Sequence, residues 1–178
     1  MRQDTIAPQR GALASFQGKE PEMAIFKFNR AAGRKLNDQA EVTAINPAGA
    51  PAPKAPHENL IKRAFKQYGM SQLSVSHITV RDTTIAVKGR AETAAERDAI
   101  ILAAGNIAGI DTVHADITVP EGTPAPVFHQ VSPGETLQAI AEKTDADVTV
   151  DDLHKANEAE LAHHDGVYPG QTIRIPEA

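Results

Sequence analysis

The chain has 178 residues, enough for one ordinary domain or two small ones. It contains no cysteine, which excludes disulfides, thiolate metal sites and cysteine nucleophiles. With 18 Lys and Arg against 23 Asp and Glu it is mildly acidic, and no basic face of the size that nucleic acid requires is present. The longest clean apolar run, Ala99 to Ala104, is far below the roughly 20 residues that span a bilayer. Because the N-terminus also lacks the apolar core of a secretory signal, we expect a cytoplasmic protein.

The N-terminal part is predicted to contain three pieces. Residues 1–22 mix Gln, Pro, Gly and charge without periodicity, which predicts a disordered extension. Residues 23–45 form a short amphipathic segment, and residues 46–57 form a semi-extended linker rich in Pro and Ala. The segment crowds three bulky apolar residues at one end, Ile25, Phe26 and Phe28. They need a surface to pack on, either the rest of the chain, which we favour, or a membrane interface.

A compact α+β unit is predicted over residues 58–119. Apolar residues at helical spacing predict a first helix that starts at Glu58. Its buried stripe is predicted to comprise Leu60, Ile61, Ala64, Phe65 and Tyr68. Alternating apolar and polar residues over 78–87, with a turn at 82–84, predict a β-hairpin with one buried face.

The second helix of this unit ends in a glycine-containing stretch. Thr93 and Glu96 form a capping box at its start, and residues 105–110 connect it to a strand predicted over 113–119. A helix end leaves its last carbonyls without intrahelical partners, and the two glycines of the stretch allow the backbone to fold back over them. The spacing alone favours a simple helix C-cap, and a cation site of main-chain carbonyls is the alternative.

Residues 120–126 are rich in Pro and Gly and predict a second linker, which separates off a unit over residues 127–176. Within this unit, Ser132 and Glu135 are at capping-box spacing before a helix, and Thr149 can cap another. The predicted order is strand, helix, helix, strand.

No arrangement of residues indicates an enzyme. A metal site at the adjacent residues 163–165, two His and an Asp, is less favoured than a polar loop, because neighbouring side chains rarely converge on one ion. His129 is expected to be exposed on its strand. Four acidic residues are interpreted as solvated loop and helix N-terminal charges, namely Asp145, Asp147, Asp151 and Asp152. Catalytic triads, phosphate loops and dinucleotide fingerprints are not apparent, so we expect a non-enzymatic protein.

The C-terminal unit resembles a LysM domain. The resemblance rests on residues 131–137, Ile140-Ala141, the 153–157 helix end, and Tyr168-Pro169-Gly170-Gln171 before the last strand. It implies a groove that binds glycans containing N-acetylglucosamine, such as peptidoglycan. The implied groove residues are Pro133, Gly134, Glu135, Thr136, Tyr168 and Pro169.

Residues 58–119 look like a BON domain, through residues 85–89, the helix that follows, and residues 109–113. A short N-terminal segment, one BON unit and one C-terminal LysM unit, in this order, resemble the small cytoplasmic potassium-binding proteins. Residues 23–28 and 32–36 are similar to the N-terminus of that family, and residues 105–110 to its loop after the second BON helix.

We expect a monomer. The resemblance implies that the chain binds K⁺, without an organic cofactor, and becomes more ordered when it does. Neutral carbonyl dipoles suit a large monovalent cation. The implied ligands are the main-chain oxygens of Gly105, Ile107 and Ile110, joined by those of Asn29 and Ala32 if the N-terminal segment docks there. The alternative function is binding of peptidoglycan fragments by the LysM unit, which could instead be retained as a structural partner of the BON unit.

Overall fold

The computed structural model describes residues 23–36, 41–43, 54–67, 75–144, 147–161 and 166–176. The N-terminal strands are β1 (Ala24–Lys27), β2 (Arg34–Leu36) and β3 (Glu41–Thr43). The central elements are α1 (Glu58–Gln67), β4 (Val75–Arg81), β5 (Thr84–Arg90), α2 (Ala94–Gly105) and β6 (Thr112–Thr118). The C-terminal elements are β7 (Phe128–Gln130), α3 (Leu137–Lys143), α4 (Val150–Ala156), α5 (Glu158–Leu161) and β8 (Thr172–Arg174). The predicted α+β fold class is confirmed.

The main sheet has four strands in the order β1-β6-β5-β4. β4 and β5 form the predicted antiparallel hairpin. β5 and β6, which α2 connects, pair in parallel. The N-terminal segment supplies an edge strand, because β1 pairs antiparallel with β6 in the register Phe26↔Val113. The segment is therefore part of the sheet, which its sequence did not predict.

Strand alternation separates the three apolar residues of the N-terminal segment. Phe28 is buried at 7% exposure, and Phe26 packs against the same core, whereas Ile25 is 58% exposed. Successive side chains of a strand point to opposite faces, so Ile25 faces away from the core that Phe26 contacts. The expectation that all three pack was wrong for Ile25.

The first core lies between the sheet and the helices α1 and α2. From α1 it receives Ile61 and Phe65, at 0% and 3% exposure, and from α2 a nearly continuous buried run. Tyr68, expected in the α1 stripe, lies outside the described residues. Ala55, at the end of the predicted linker, also packs on this core, so the linker has an apolar anchor at its described end.

The C-terminal unit has its own small core, built from α3, α4 and the β7–β8 pair around Ile140, Leu153 and Ile173. Its order differs from the prediction by the short helix α5. The N-cap of α3 is Thr136, whose hydroxyl accepts from the Ala139 N–H, and not Ser132 as the spacing suggested. Thr149 caps α4, as the sequence predicted, and forms a complete capping box with Asp152. No helix in the described part of the chain has the length and apolar character needed to cross a membrane.

Candidate cation site at the domain junction

The N-terminal segment lies against the loop after α2, and main-chain hydrogen bonds hold the two together. The predicted ion site included Asn29 and Ala32 only if the N-terminal segment docks on this loop. The structure shows that it does. The bonds run from Phe28 N–H to Asp111 O at 2.9 Å, Arg34 N–H to Asn106 O at 2.9 Å, Ala108 N–H to Arg34 O at 2.9 Å, and Gly109 N–H to Arg30 O at 3.0 Å.

Two glycines allow this close approach. A Cβ at Gly105 would lie 2.1 Å from Cζ of Phe28, so only glycine lets the phenyl ring pack on the end of α2. Gly109 has φ +99°, and a Cβ there would lie 2.5 Å from the main chain of Lys54. The loop is thus enclosed by the N-terminal segment on one side and by the described end of the first linker on another.

The five predicted ligand residues all lie in this junction. The carbonyl of Asn29 accepts from the Ala32 N–H and that of Ile107 from the Ile110 N–H, each at 3.0 Å. Within the described ranges, no main-chain N–H donates to the carbonyls of Ala32, Gly105 or Ile110. All three residues are buried, and a buried carbonyl without a donor is costly. Main-chain donors among the described residues therefore leave the lone pairs of these three oxygens unused.

The orientation of each loop carbonyl is set by its own peptide plane. The described peptide bonds are trans, so a carbonyl points opposite to the N–H of the following residue. The Asn106 N–H donates to Leu102 O at 2.8 Å, which directs the Gly105 carbonyl away from the helix. The Ala108 N–H bonds Arg34 O, which directs the Ile107 carbonyl away from β2. Hydrogen bonds to α2 and to β2 therefore fix the directions of the Gly105 and Ile107 carbonyls.

A turn of the C-terminal unit covers the N-terminal segment. A Cβ at Gly170 would lie 2.5 Å from Nδ2 of Asn29 and 2.7 Å from Cβ of Ala32. The segment that carries two candidate ligands is thus held between the α2 loop and the turn before β8.

Asn106, the C-cap of α2, makes the most specific contact between the two units. Its Nδ2 donates to Thr172 O at 2.8 Å and to Glu160 Oε2 at 2.9 Å, while its Oδ1 accepts from the Thr172 N–H at 2.9 Å. Asn106 is 3% exposed. Sequence reasoning placed it between two candidate ligands but missed this role, because its partners lie more than 50 residues away.

Two buried charged groups at the junction, Arg34 and Glu160, lie close together. Glu160 Oε1 lies 3.6 Å from Nη2 of Arg34, and both side chains are 5% exposed. The same Nη2 donates to Ala103 O at 3.1 Å. A hydrogen bond from Thr112, another from Thr83, and the cations Lys27 and Arg30 lower the pKa of Asp111. The Glu160 carboxylate thus offsets part of the positive charge of Arg34.

A second ionic contact joins the units near the start of α2. Asp98 accepts from Nε of Arg97 at 2.8 Å and from Nε of Arg174 at 2.9 Å, and Arg97 also donates to Pro124 O at 2.6 Å. The rings of Phe26 and Phe128 also meet edge to face, with centroids 5.5 Å apart. The C-terminal unit is therefore fixed to the first unit by polar and aromatic contacts.

The predicted glycan residues do not all share one surface. Pro133, Gly134, Thr136 and Pro169 are exposed, whereas Tyr168 is buried at 5% exposure. Burial raises the pKa of the Tyr168 phenol above its usual range, nearby Glu160 raises it further, and Arg34 opposes the rise. Tyr168 therefore belongs to the domain junction. A groove of about 300 Å³ does lie in this unit, lined by residues 135–138 and 166–167.

Glu135 in that groove is held by three donors. Lys143 Nζ lies 2.8 Å from its Oε1, and the Ser132 N–H and His129 Nε2 lie 3.0 and 2.7 Å from its Oε2. These contacts, led by Lys143, lower the pKa of Glu135 to about 2. His129 is therefore engaged in this contact, which differs from the expectation that it is simply exposed.

Among the residues whose positions are described, no group of three or more His, Cys, Asp or Glu side chains could hold a metal ion. The 163–165 motif and Asp145 lie outside those residues.

Comparison with known proteins agrees with both domain resemblances. Residues 58–121 match the model of the BON domain, and residues 129–176 match that of the LysM domain. The chain is also 29% identical over 156 residues to the potassium binding protein Kbp of Escherichia coli O6:H1. The alignment covers 87% of this chain and 99% of that relative.

Proposed function

Because the chain belongs to the proteins that combine a BON domain with a C-terminal LysM domain, we propose that it binds potassium at the junction of its N-terminal segment and BON loop. The homologue that aligns along nearly its whole length is named a potassium binding protein. The proposed role is that of a cytoplasmic potassium sensor or buffer, without catalysis.

The observation that carries this proposal is the set of buried carbonyls without main-chain donors, Ala32, Gly105 and Ile110, in the described junction. Together with Asn29 and Ile107 they offer five neutral oxygens from two chain segments. Neutral carbonyls can replace the hydration shell of a large monovalent cation, whereas divalent ions favour carboxylates. The proposed site therefore favours K⁺ over Ca²⁺ or Mg²⁺.

The two-segment site links ion binding to order. An ion that contacts residues of both the N-terminal segment and the α2 loop binds the docked state better than the undocked one. It stabilises that state by RT ln(1 + [K⁺]/Kd). Potassium is therefore proposed to tighten the docking of β1 and the segment that follows it.

The first test is isothermal calorimetry of the full chain in potassium-free buffer, titrated with KCl and separately with NaCl at matched ionic strength. Saturable heat with KCl and none with NaCl is expected. A variant lacking residues 23–36 should lose that heat, since it lacks both Asn29 and Ala32. Absence of heat with either salt in the full chain would overturn the proposal.

Glycan binding by the LysM domain is a second candidate, favoured by the groove of about 300 Å³ beside Glu135. Backbone amides and carbonyls of such a loop can hold acetamido groups. Sedimentation with purified peptidoglycan tests it. Co-sedimentation that Gln138→Trp, at an exposed residue lining the groove, abolishes would support a glycan role, and a protein that stays in the supernatant would exclude it.

A further inference from the structure

Asn106 is bonded to three different parts of the molecule. Its main-chain N–H caps α2 through Leu102 O at 2.8 Å, and its main-chain oxygen accepts from Arg34 N–H of the N-terminal segment at 2.9 Å. Its side-chain amide pairs with Thr172 of the LysM strand β8. A buried residue with this many partners has little freedom to move independently of them.

The contact with β8 repeats one that the LysM domain makes internally. The amide of Asn157 donates to Arg174 O and accepts from Arg174 N–H, at 2.8 and 2.7 Å. On the edge of β8 that faces β7, the Val131 N–H donates to Gln171 O and the Ile175 N–H donates to Val127 O. The main-chain N–H and C=O groups of residues 172 and 174 therefore face away from β7. Asn106 and Asn157 thus complete the same strand edge, one from the BON loop and one from the LysM helices.

Asn106 also lies between two of the proposed ion ligands. The Gly105 carbonyl shares its peptide plane with the Asn106 N–H, and the Ile107 carbonyl follows one residue later. A rotation of either carbonyl toward or away from an ion therefore changes the backbone angles at residue 106 or beside it. Because the Asn106 amide is held at both its oxygen and its nitrogen, a change in the backbone angles at residue 106 strains its bonds to β8.

Resting on the proposed potassium site, we infer that Asn106 is a positioning residue that couples ion binding in the BON loop to docking of the LysM strand β8. Occupancy of the loop favours the backbone geometry in which the amide meets Thr172. By linkage, docking of β8 raises the affinity for potassium by the same factor. The LysM domain thereby takes part in ion binding without supplying a ligand.

The inference is tested first on the wild-type full chain by ¹H–¹⁵N NMR in potassium-free buffer with added KCl. We expect the Thr172 amide and the Asn106 side-chain amide to shift along with the 105–110 amides, at the same midpoint. Hydrogen exchange of the Asn106 side-chain amide should slow severalfold with KCl. These readouts need no variant and are independent of whether a mutant folds.

The second test compares Asn106→Ala with the matched control Asn157→Ala. Each removes three side-chain hydrogen bonds. Each also leaves one main-chain N–H and one C=O on the same edge of β8 without their asparagine partner. Asn106→Ala should weaken potassium binding by a factor within the 5- to 150-fold typical of allosteric coupling, and should abolish the Thr172 shift. Asn157→Ala should retain the loop shifts and bind potassium within about twofold of wild type.

The outcomes separate this inference from the function on which it rests. Loop shifts with KCl, an unmoved Thr172 amide and unchanged affinity in Asn106→Ala would overturn the coupling while leaving the ion site in place. An equal loss of affinity in both variants would assign the effect to general loss of LysM stability and also overturn it. No KCl-dependent shift anywhere in wild type would instead reject the potassium site itself.

Discussion

The ring of Phe28 packs directly on Gly105, with so little space between them that a Cβ at 105 would lie 2.1 to 2.2 Å from three ring carbons. Phe28 begins the N-terminal loop that carries Asn29 and Ala32, and Gly105 ends α2. The contact thus sets the distance between the two halves of the proposed ion site.

Gly105→Ala should displace the N-terminal segment. Alanine favours a helix over glycine by roughly 0.5–1 kcal/mol, but the added methyl group overlaps Phe28, and overpacking costs about 1–3 kcal/mol. We expect a net lower unfolding temperature and loss of most KCl-dependent heat in calorimetry. Gly166→Ala, which has nothing within 4 Å of its Cβ position, is the control. Unchanged potassium affinity in Gly105→Ala would contradict the proposed ligand arrangement.

Phe28→Ala should create a cavity between the N-terminal segment and the BON core. Phe28 is 7% exposed, so we expect the free energy of unfolding to fall by about 3 kcal/mol. Ile25→Ala is the matched control, because Ile25 is on the same segment but 58% exposed, and should change stability by less than about 0.5 kcal/mol. Urea denaturation measures both, and equal effects would show that the segment is not docked through Phe28.

Asp98→Asn should destabilise the contact between the domains. The carboxylate is 4% exposed and lies between the guanidinium groups of Arg97 and Arg174, which would then repel each other. Removing one partner of a buried ion pair costs about 3 kcal/mol or more. Asp116→Asn, whose partner Lys88 is 59% exposed, should cost less than about 1 kcal/mol. A similar urea midpoint for the two variants would refute the structural importance of this cluster.

Glu135 should make the LysM domain sensitive to acid. Its pKa of about 2 in the folded protein is below the ordinary value of 4.5, so its stabilising contribution is fully present above pH 4.5 and is lost as the pH falls toward 2. The stability difference between wild type and Glu135→Gln should therefore shrink over that window. NMR titration of the Glu135 carboxyl checks the pKa directly, and Lys143→Met should raise it. Titration near 4.5 in wild type would contradict the Lys143 contact.

Much of the local structure could be predicted from neighbouring residues. The hairpin of β4 and β5 followed from alternation, and the start of α2 from Thr93, whose hydroxyl accepts from the Glu96 N–H at 3.1 Å. These features depend on contacts within a few residues. Ser132 shows the limit of such reasoning. Its spacing to Glu135 fits a capping box, but in the structure Glu135 contacts Lys143 and Thr136 caps the helix.

By itself the sequence determined the α+β class, the order of the two domains and the glycine stretch after α2, since these depend on periodicity, caps and turns. Only the tertiary structure decided that β1 joins the BON sheet and that Asn106 bonds Thr172. A four-residue strand and an asparagine at a helix end have many possible partners. Their choice depends on which unpaired strand edges and buried polar groups the folded chain brings within hydrogen-bonding distance.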